Sequence, residues 1–192
     1  MFMRPALLAI ALALVPTSLA AQEADPVAVT RVVEADGSTT LVHEVTIGAR
    51  RDAVWQAIST AHGWTEWAVP VAWADPAAGT LETSYDRQAQ PGDPGTIVQQ
   101  FVATIPGRLL AFRTTRAPAG FPAAETYYRV TSVFELEAMT SGTRLRLTSV
   151  NFAATPDGTQ LADFFAVGNA RTLEALRERF ISGPKDWSAA AP

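Results

Sequence analysis

The chain of 192 residues holds two histidines, three tyrosines, five tryptophans and no cysteine. Those numbers limit its chemistry. Without cysteine there is no disulfide, no thiolate nucleophile and no thiolate metal ligand. His43 and His62 stand outside any HExxH spacing, and no acidic run has the pattern of a calcium loop. No metal site is expected. A GxSxG elbow is missing, so two isolated histidines make no case for a catalytic triad. Phosphate-cradling loops of the GxxxxGK[ST] or GxGxxG kind are missing too, and no cofactor is expected. What remains is acid–base work. A carboxylate or a Tyr–Arg pair in an apolar cavity has a shifted pKa and can polarise a carbonyl. Tyr85, Tyr128, Arg113 and Glu66 are the residues to consider. The plainer reading is stronger. Tyr85 and Tyr128 fall on core faces, where each hydroxyl needs one partner, and Arg113 and Glu66 read as surface residues. No catalytic residue is assigned.

Binding is the more economical reading of the same stretches. "AHGWTEWAVPVAW", residues 61–73, carries three of the five tryptophans. Trp64 and Trp67 are three apart and would share a helical face. Ser132, Ser149 and Asn151 fall on strand faces that are otherwise apolar. A buried polar group without a partner costs about 1–3 kcal/mol. A cavity with apolar walls and a few orienting polar groups is one solution, and ordinary side-chain-to-backbone bonding is another. Gly168 interrupts a helical pattern at a cost of about 1 kcal/mol relative to Ala. Close approach of a ligand, or of the sheet, would account for it.

These residues must be positioned by the elements around them. "VAVTRVV" and "TTLVHEVTI" are β-rich runs around an Asp36-Gly37 turn and read as a hairpin. "ARRDAVWQAISTA" reads as a helix on Val54, Trp55 and Ile58. A stretch long enough for about two turns of short helix follows, bounded by Gly63 and Pro70. "PVAWADPAAGTL" reads as a loop, and "TLETSYD" as a strand with Leu81, Thr83 and Tyr85 on one face. "TIVQQFVATI" and "LLAFRTTR" are two more strands, although residues 96–115 alternate poorly. "TYYRVTSVFELEAM" alternates cleanly, with Tyr128, Val130, Ser132, Phe134 and Leu136 facing one way. "RLRLTSVNF" returns with Leu145, Leu147, Ser149 and Asn151 inward. A long helix starts near residues 155–157 and ends at Gly183-Pro184. Its stripe runs Leu161, Phe164, Phe165, Gly168, Thr172, Leu176, Phe180. Strands in antiparallel succession closed by a long amphipathic helix make an α+β pattern.

The first twenty residues read differently. Arg4 precedes the apolar run "PALLAIALALV", which is too short to span a bilayer at ~20 residues. Ser18 and Ala20 then supply small residues for cleavage after Ala20. This is a secretory signal peptide, so a periplasmic or secreted location is expected, with no stable membrane insertion once it is removed. The expected division is 1–20 signal peptide, 21–38 lead-in and first strand, 39–182 the domain, and 183–192 a tail. A formal charge of −4, with "GARR" at 48–51 the densest basic spot, argues against nucleic acid as a partner.

The order of elements resembles the helix-grip fold of the START-related (SRPBCC) superfamily, most of all its branch of heat-shock ATPase activator homologues. "VTIGARRDAVWQAIST" resembles the family's first strand entering a helix. "WTEWAVP" is similar to its tryptophan near a proline, at Trp67 and Pro70. "ADPAAGTLETSY", "GTIVQQFVATIPGRLLAF" and "SGTRLRLTSVNF" resemble its later strands. The likeness spans roughly residues 40 to 181. Two positions depart from it. Asn169 follows Gly168 where many members carry tryptophan, and Thr80 replaces a glycine. The resemblance implies a curved antiparallel sheet wrapped around a long C-terminal helix, with two short helices and a cavity for a small hydrophobic molecule or lipid. The expected lining is Trp64, Trp67, Tyr85, Phe112, Tyr128, Ser132, Leu147, Asn151, Leu161, Phe164, Phe165 and Gly168. Trp67 would plug a corner of the fold and Trp64 would touch the ligand. The resemblance also admits a polyketide-cyclase or dehydratase-like enzyme. A chaperone-activating role would need a cytosolic protein partner, and the signal peptide speaks against it.

Overall fold

The computed structural model describes residues 25–188, so the expected signal peptide lies outside the described residues. Eight strands form one antiparallel sheet in the order β1-β2-β8-β7-β6-β5-β4-β3. They are β1 (Ala28–Val33), β2 (Thr39–Ile47), β3 (Val71–Asp75), β4 (Thr80–Ser84), β5 (Ile97–Ile105), β6 (Leu109–Arg116), β7 (Thr131–Met139) and β8 (Gly142–Phe152). Helices α1 (Arg51–Ser59) and α2 (Ala61–Thr65) connect β2 to β3, the one-turn α3 (Ala124–Tyr127) precedes β7, and α4 (Pro156–Ser182) closes the chain. This is the α+β helix-grip architecture.

The β1–β2 hairpin forms as expected. Gly37 takes φ +81° at its tip, a conformation in which a side chain would be strained. "VAWAD" is a strand rather than a loop, paired with β4 from Val71 opposite Ser84 to Asp75 opposite Thr80. Thr126 and Tyr127, expected to open a strand, belong instead to the helical turn of residues 124–127. Tyr127 and Tyr128 therefore do not alternate as strand neighbours.

The boundaries of α4 follow from local chemistry. The Thr155 hydroxyl accepts the Gly158 N–H at 3.1 Å, and Pro156 occupies the first turn. Gly183, at φ +91°, ends the helix with its N–H on the Arg179 carbonyl. The helix packs on β1, β2 and β8. Leu173 and Leu176 join the main core with Ile47, Val54, Ile58, Leu145 and Phe134. Nearer its start, Leu161 and Ala162 join a smaller cluster with Leu41, Val130 and Phe152.

Candidate ligand cavity

Between α4 and the far strands of the sheet lies a cavity of about 470 Å³, within the usual range of small-molecule sites, about 300–1,000 Å³. Its floor comes from β4 to β8. Thr83, Gln99, Thr114, Phe112, Ser132, Phe134, Leu147 and Ser149 all line it. Cross-strand pairing aligns them, since Phe112 lies opposite Ser132, and Ser132 opposite Ser149. The roof is the α4 face carrying Phe165, Asn169, Thr172 and Ala175. Toward the start of α4, Phe121 and Tyr127 pack with Phe164 and Phe165, with ring centroids 5.0–6.3 Å apart. Toward its end the wall is Trp64, Trp67, Ala68 and Val69.

The two tryptophans are held by the end of α1. The final carbonyls of a helix have no intrahelical donor. Trp64 Nε1 donates to the Ile58 carbonyl at 2.8 Å, and Trp67 Nε1 to the Ala57 carbonyl at 3.0 Å. Both rings are buried, 5.1 Å apart. The expected contrast between a structural Trp67 and a free Trp64 is not what the geometry shows. Both cap α1 and both face the cavity.

The tail also has a place. Trp187 Nε1 donates to the Thr65 carbonyl, and the Lys185 N–H to the Glu66 carbonyl. The Glu66 carboxylate receives Arg179 at 2.8 and 3.1 Å. Glu66 therefore ties the end of α4 to α2 rather than serving as an acid. Arg113 and His62 are exposed.

Of the expected lining residues, Trp64, Trp67, Tyr85, Phe112, Ser132, Leu147, Phe164 and Phe165 stand at the cavity. Tyr85 and Phe164 are at its solvent side, 72% and 59% exposed, so the core-face placement of Tyr85 does not hold. Four residues lie elsewhere. The one-turn helix α3 turns Tyr127 to the cavity instead of Tyr128, whose hydroxyl accepts the Ala117 N–H at 3.2 Å. Asn151 sits in a β-bulge where β8 gains one residue on β2, with φ +70°. The bulge shifts the alternation, so Phe152 is buried and Asn151 exposed. Leu161 packs into the smaller core cluster. A Cβ on Gly168 would meet nothing within 4 Å, so the sheet does not crowd it, and the cavity lining does not include it. Its neighbour Asn169 faces the cavity instead.

The polar groups of the cavity are almost all uncharged. Ser132 and Ser149 share a hydrogen bond of 2.9 Å, and Asn169 Nδ2 reaches Ser149 at 3.5 Å. Burial pushes the Tyr127 phenol above its ordinary pKa against the opposing hydrogen bond to Thr114, so it stays protonated at neutral pH. The charged lining residues Arg171 and Lys185 are both solvent-exposed. Among the described residues no cluster of His, Cys, Asp or Glu could hold a metal ion, and no helix is long and apolar enough to cross a membrane.

A family model described as "Polyketide cyclase / dehydrase and lipid transport" matches residues 38–181. The chain belongs to this family. Solved structures place this polyketide cyclase / dehydrase and lipid transport member among varied neighbours. Protein MLL2253 of Mesorhizobium loti is 23% identical at a TM-score of 0.56, covering 72% of this chain and 94% of its own. The Aha1 dimer of Colwellia psychrerythraea is 20% identical at 0.57, covering 75% and 97%. CalU16 of Micromonospora echinospora is 19% identical at 0.55, covering 84% and 86%. At such identities the likeness is one of fold. No curated protein sequence matches the chain. β1, at residues 28–33, precedes the family match.

Proposed function

We propose that this protein is exported and binds a small apolar or amphipathic molecule in the cavity beneath α4. One observation carries the reading. The space under α4 is large enough for a ligand and lined mainly by aromatic and aliphatic side chains, with uncharged hydrogen-bonding groups at a few points. The family description, which includes lipid transport, supports it. Export rests on the leader pattern in residues 1–20. Native mass spectrometry of protein purified from its own compartment tests binding and location together. A co-purifying apolar compound on a chain lacking residues 1–20 is the expected result. A ligand-free protein that also takes up no apolar probe would overturn the binding reading.

One observation favours a second reading, a cyclase- or dehydratase-like enzyme. Tyr127 keeps its proton well past neutral pH and faces the cavity beside Thr114. A neutral phenol there can donate to a carbonyl oxygen. Tyr127→Phe would abolish turnover of such a substrate without unfolding the protein. Equal turnover by wild type and variant would remove Tyr127 from the mechanism.

A further inference from the structure

Gln99 is the polar residue of the cavity whose bonding the protein leaves incomplete. It stands on β5, between Leu81 of β4 and Thr114 of β6. It lines the cavity, is only 8% exposed, and its Oε1 is buried without a hydrogen-bond partner. Several other polar groups of the wall have partners. Ser132 bonds Ser149, Asn169 reaches Ser149, and Thr172 bonds the Gly168 carbonyl. Nearly all buried polar groups in native proteins are paired, so an exception at a cavity wall calls for a partner from inside the cavity.

We propose that Gln99 is a specificity-determining residue that selects a neutral, hydroxyl-bearing apolar ligand over its hydrocarbon and carboxylate counterparts. This rests on the cavity being a binding site. An amide presents a donor end and an acceptor end, and its terminal torsion is broad and nearly two-fold. A hydroxyl both donates and accepts, so it satisfies whichever end is turned toward it. A hydrocarbon leaves the amide unpaired. A carboxylate only accepts, and it would have to shed its water beside an orphaned oxygen with no buried cation to receive it. The cationic lining residues, Arg171 and Lys185, are exposed. An anionic head group would therefore have to stay near solvent rather than reach Gln99.

Fluorescence titration with 1-pyrenemethanol, 1-methylpyrene and 1-pyrenecarboxylate at neutral pH tests this. The three probes share one ring system and differ only in the head group. The expected order is alcohol, hydrocarbon, carboxylate, with the alcohol about fivefold to tenfold tighter than the hydrocarbon, as one neutral hydrogen bond allows. Gln99→Met keeps the length of the side chain and should bring alcohol and hydrocarbon to equal affinity. Gln99→Asn, which draws the amide back, should reduce the preference. The wild-type order tests the hydroxyl selection even if one variant fails to fold, and the other variant then tests its assignment to Gln99. Equal binding of alcohol and hydrocarbon, or a preference that survives in Gln99→Met, would overturn the role of Gln99. So would tightest binding by the carboxylate, which would place the head group at Arg171 and Lys185. If none of the probes binds, the cavity reading itself fails. If all three bind alike, only the hydroxyl selection does.

Discussion

Replacing Trp64 by alanine should damage the fold as much as replacing Trp67. Both indoles are buried, and each N–H meets a carbonyl in the last turn of α1, Ile58 for Trp64 and Ala57 for Trp67. Truncating a core tryptophan costs about 3–5 kcal/mol. Part of that is the carbonyl left without a donor, about 1–3 kcal/mol. Urea unfolding is the assay. With a slope of about 2 kcal/mol per molar, the midpoint of either alanine variant should fall by about 1.5–2.5 M. Trp64→Phe keeps most of the ring packing and removes only the donor, so its midpoint should fall by about 0.5–1.5 M. A Trp64→Ala shift below about 0.5 M, with the slope unchanged, would refute the capping argument. Trp64 would then be a ligand contact rather than a structural residue, as the family resemblance implies.

Three further outcomes follow from single contacts. His43 is fully buried, its Nε2–H donating to the Ala166 carbonyl at 3.0 Å, and burial holds its pKa below the ordinary 6.5. The unfolded chain then binds its proton first as pH falls. Stability should be full above pH 6.5 and decline below it toward the lowered folded pKa; urea midpoints at pH 7.5 and 5 should differ, and His43→Asn should narrow the gap. Gly63→Ala would place a Cβ 2.2 Å from the Gln56 carbonyl oxygen, and the crowding should cost about 1–3 kcal/mol in urea unfolding. Glu66→Gln removes the charge that receives Arg179 at the end of α4, both side chains being about three-quarters buried. A loss of about 1 kcal/mol and faster amide exchange in residues 183–188 are expected.

Where periodicity was clean, the fold could be read directly. The strand from Ser132 to Leu136 and the cap and stop of α4 depend on near neighbours in the chain. The site was harder because its residues depend on breaks in periodicity. The bulge at Asn151 is one extra residue, and it reverses every inward assignment after it. Register shifts at Val98/Gln99 and Phe101/Ala103 explain why residues 96–115 alternate poorly, and they hid Gln99 and Thr114. The single turn of α3 exchanged Tyr128 for Tyr127. The family resemblance drew attention to the Gly168–Asn169 step of α4, and it is Asn169 rather than Gly168 that faces the cavity.

A cavity of this size persists only if the helix above it is kept from settling onto β4, β5 and β6. The ties on α4 run the other way. Arg31 of β1 pairs with Asp163, the Val27 N–H donates to Glu174, and Arg177 donates to the Asp25 carbonyl. His43 of β2 adds its bond to Ala166 inside the helix. Each contact draws α4 toward the β1 edge of the sheet, away from the strands that line the cavity. Arg31→Ala combined with Arg177→Ala should therefore loosen the strap: the exposed Arg31–Asp163 pair contributes about 0–1 kcal/mol, and the mostly buried Arg177, which also pairs with Glu174, about 1.5–3 kcal/mol. Binding of 1-pyrenemethanol should weaken several-fold as the helix gains freedom to close the space. Unchanged affinity in a folded double variant would show that these ties do not hold the cavity open.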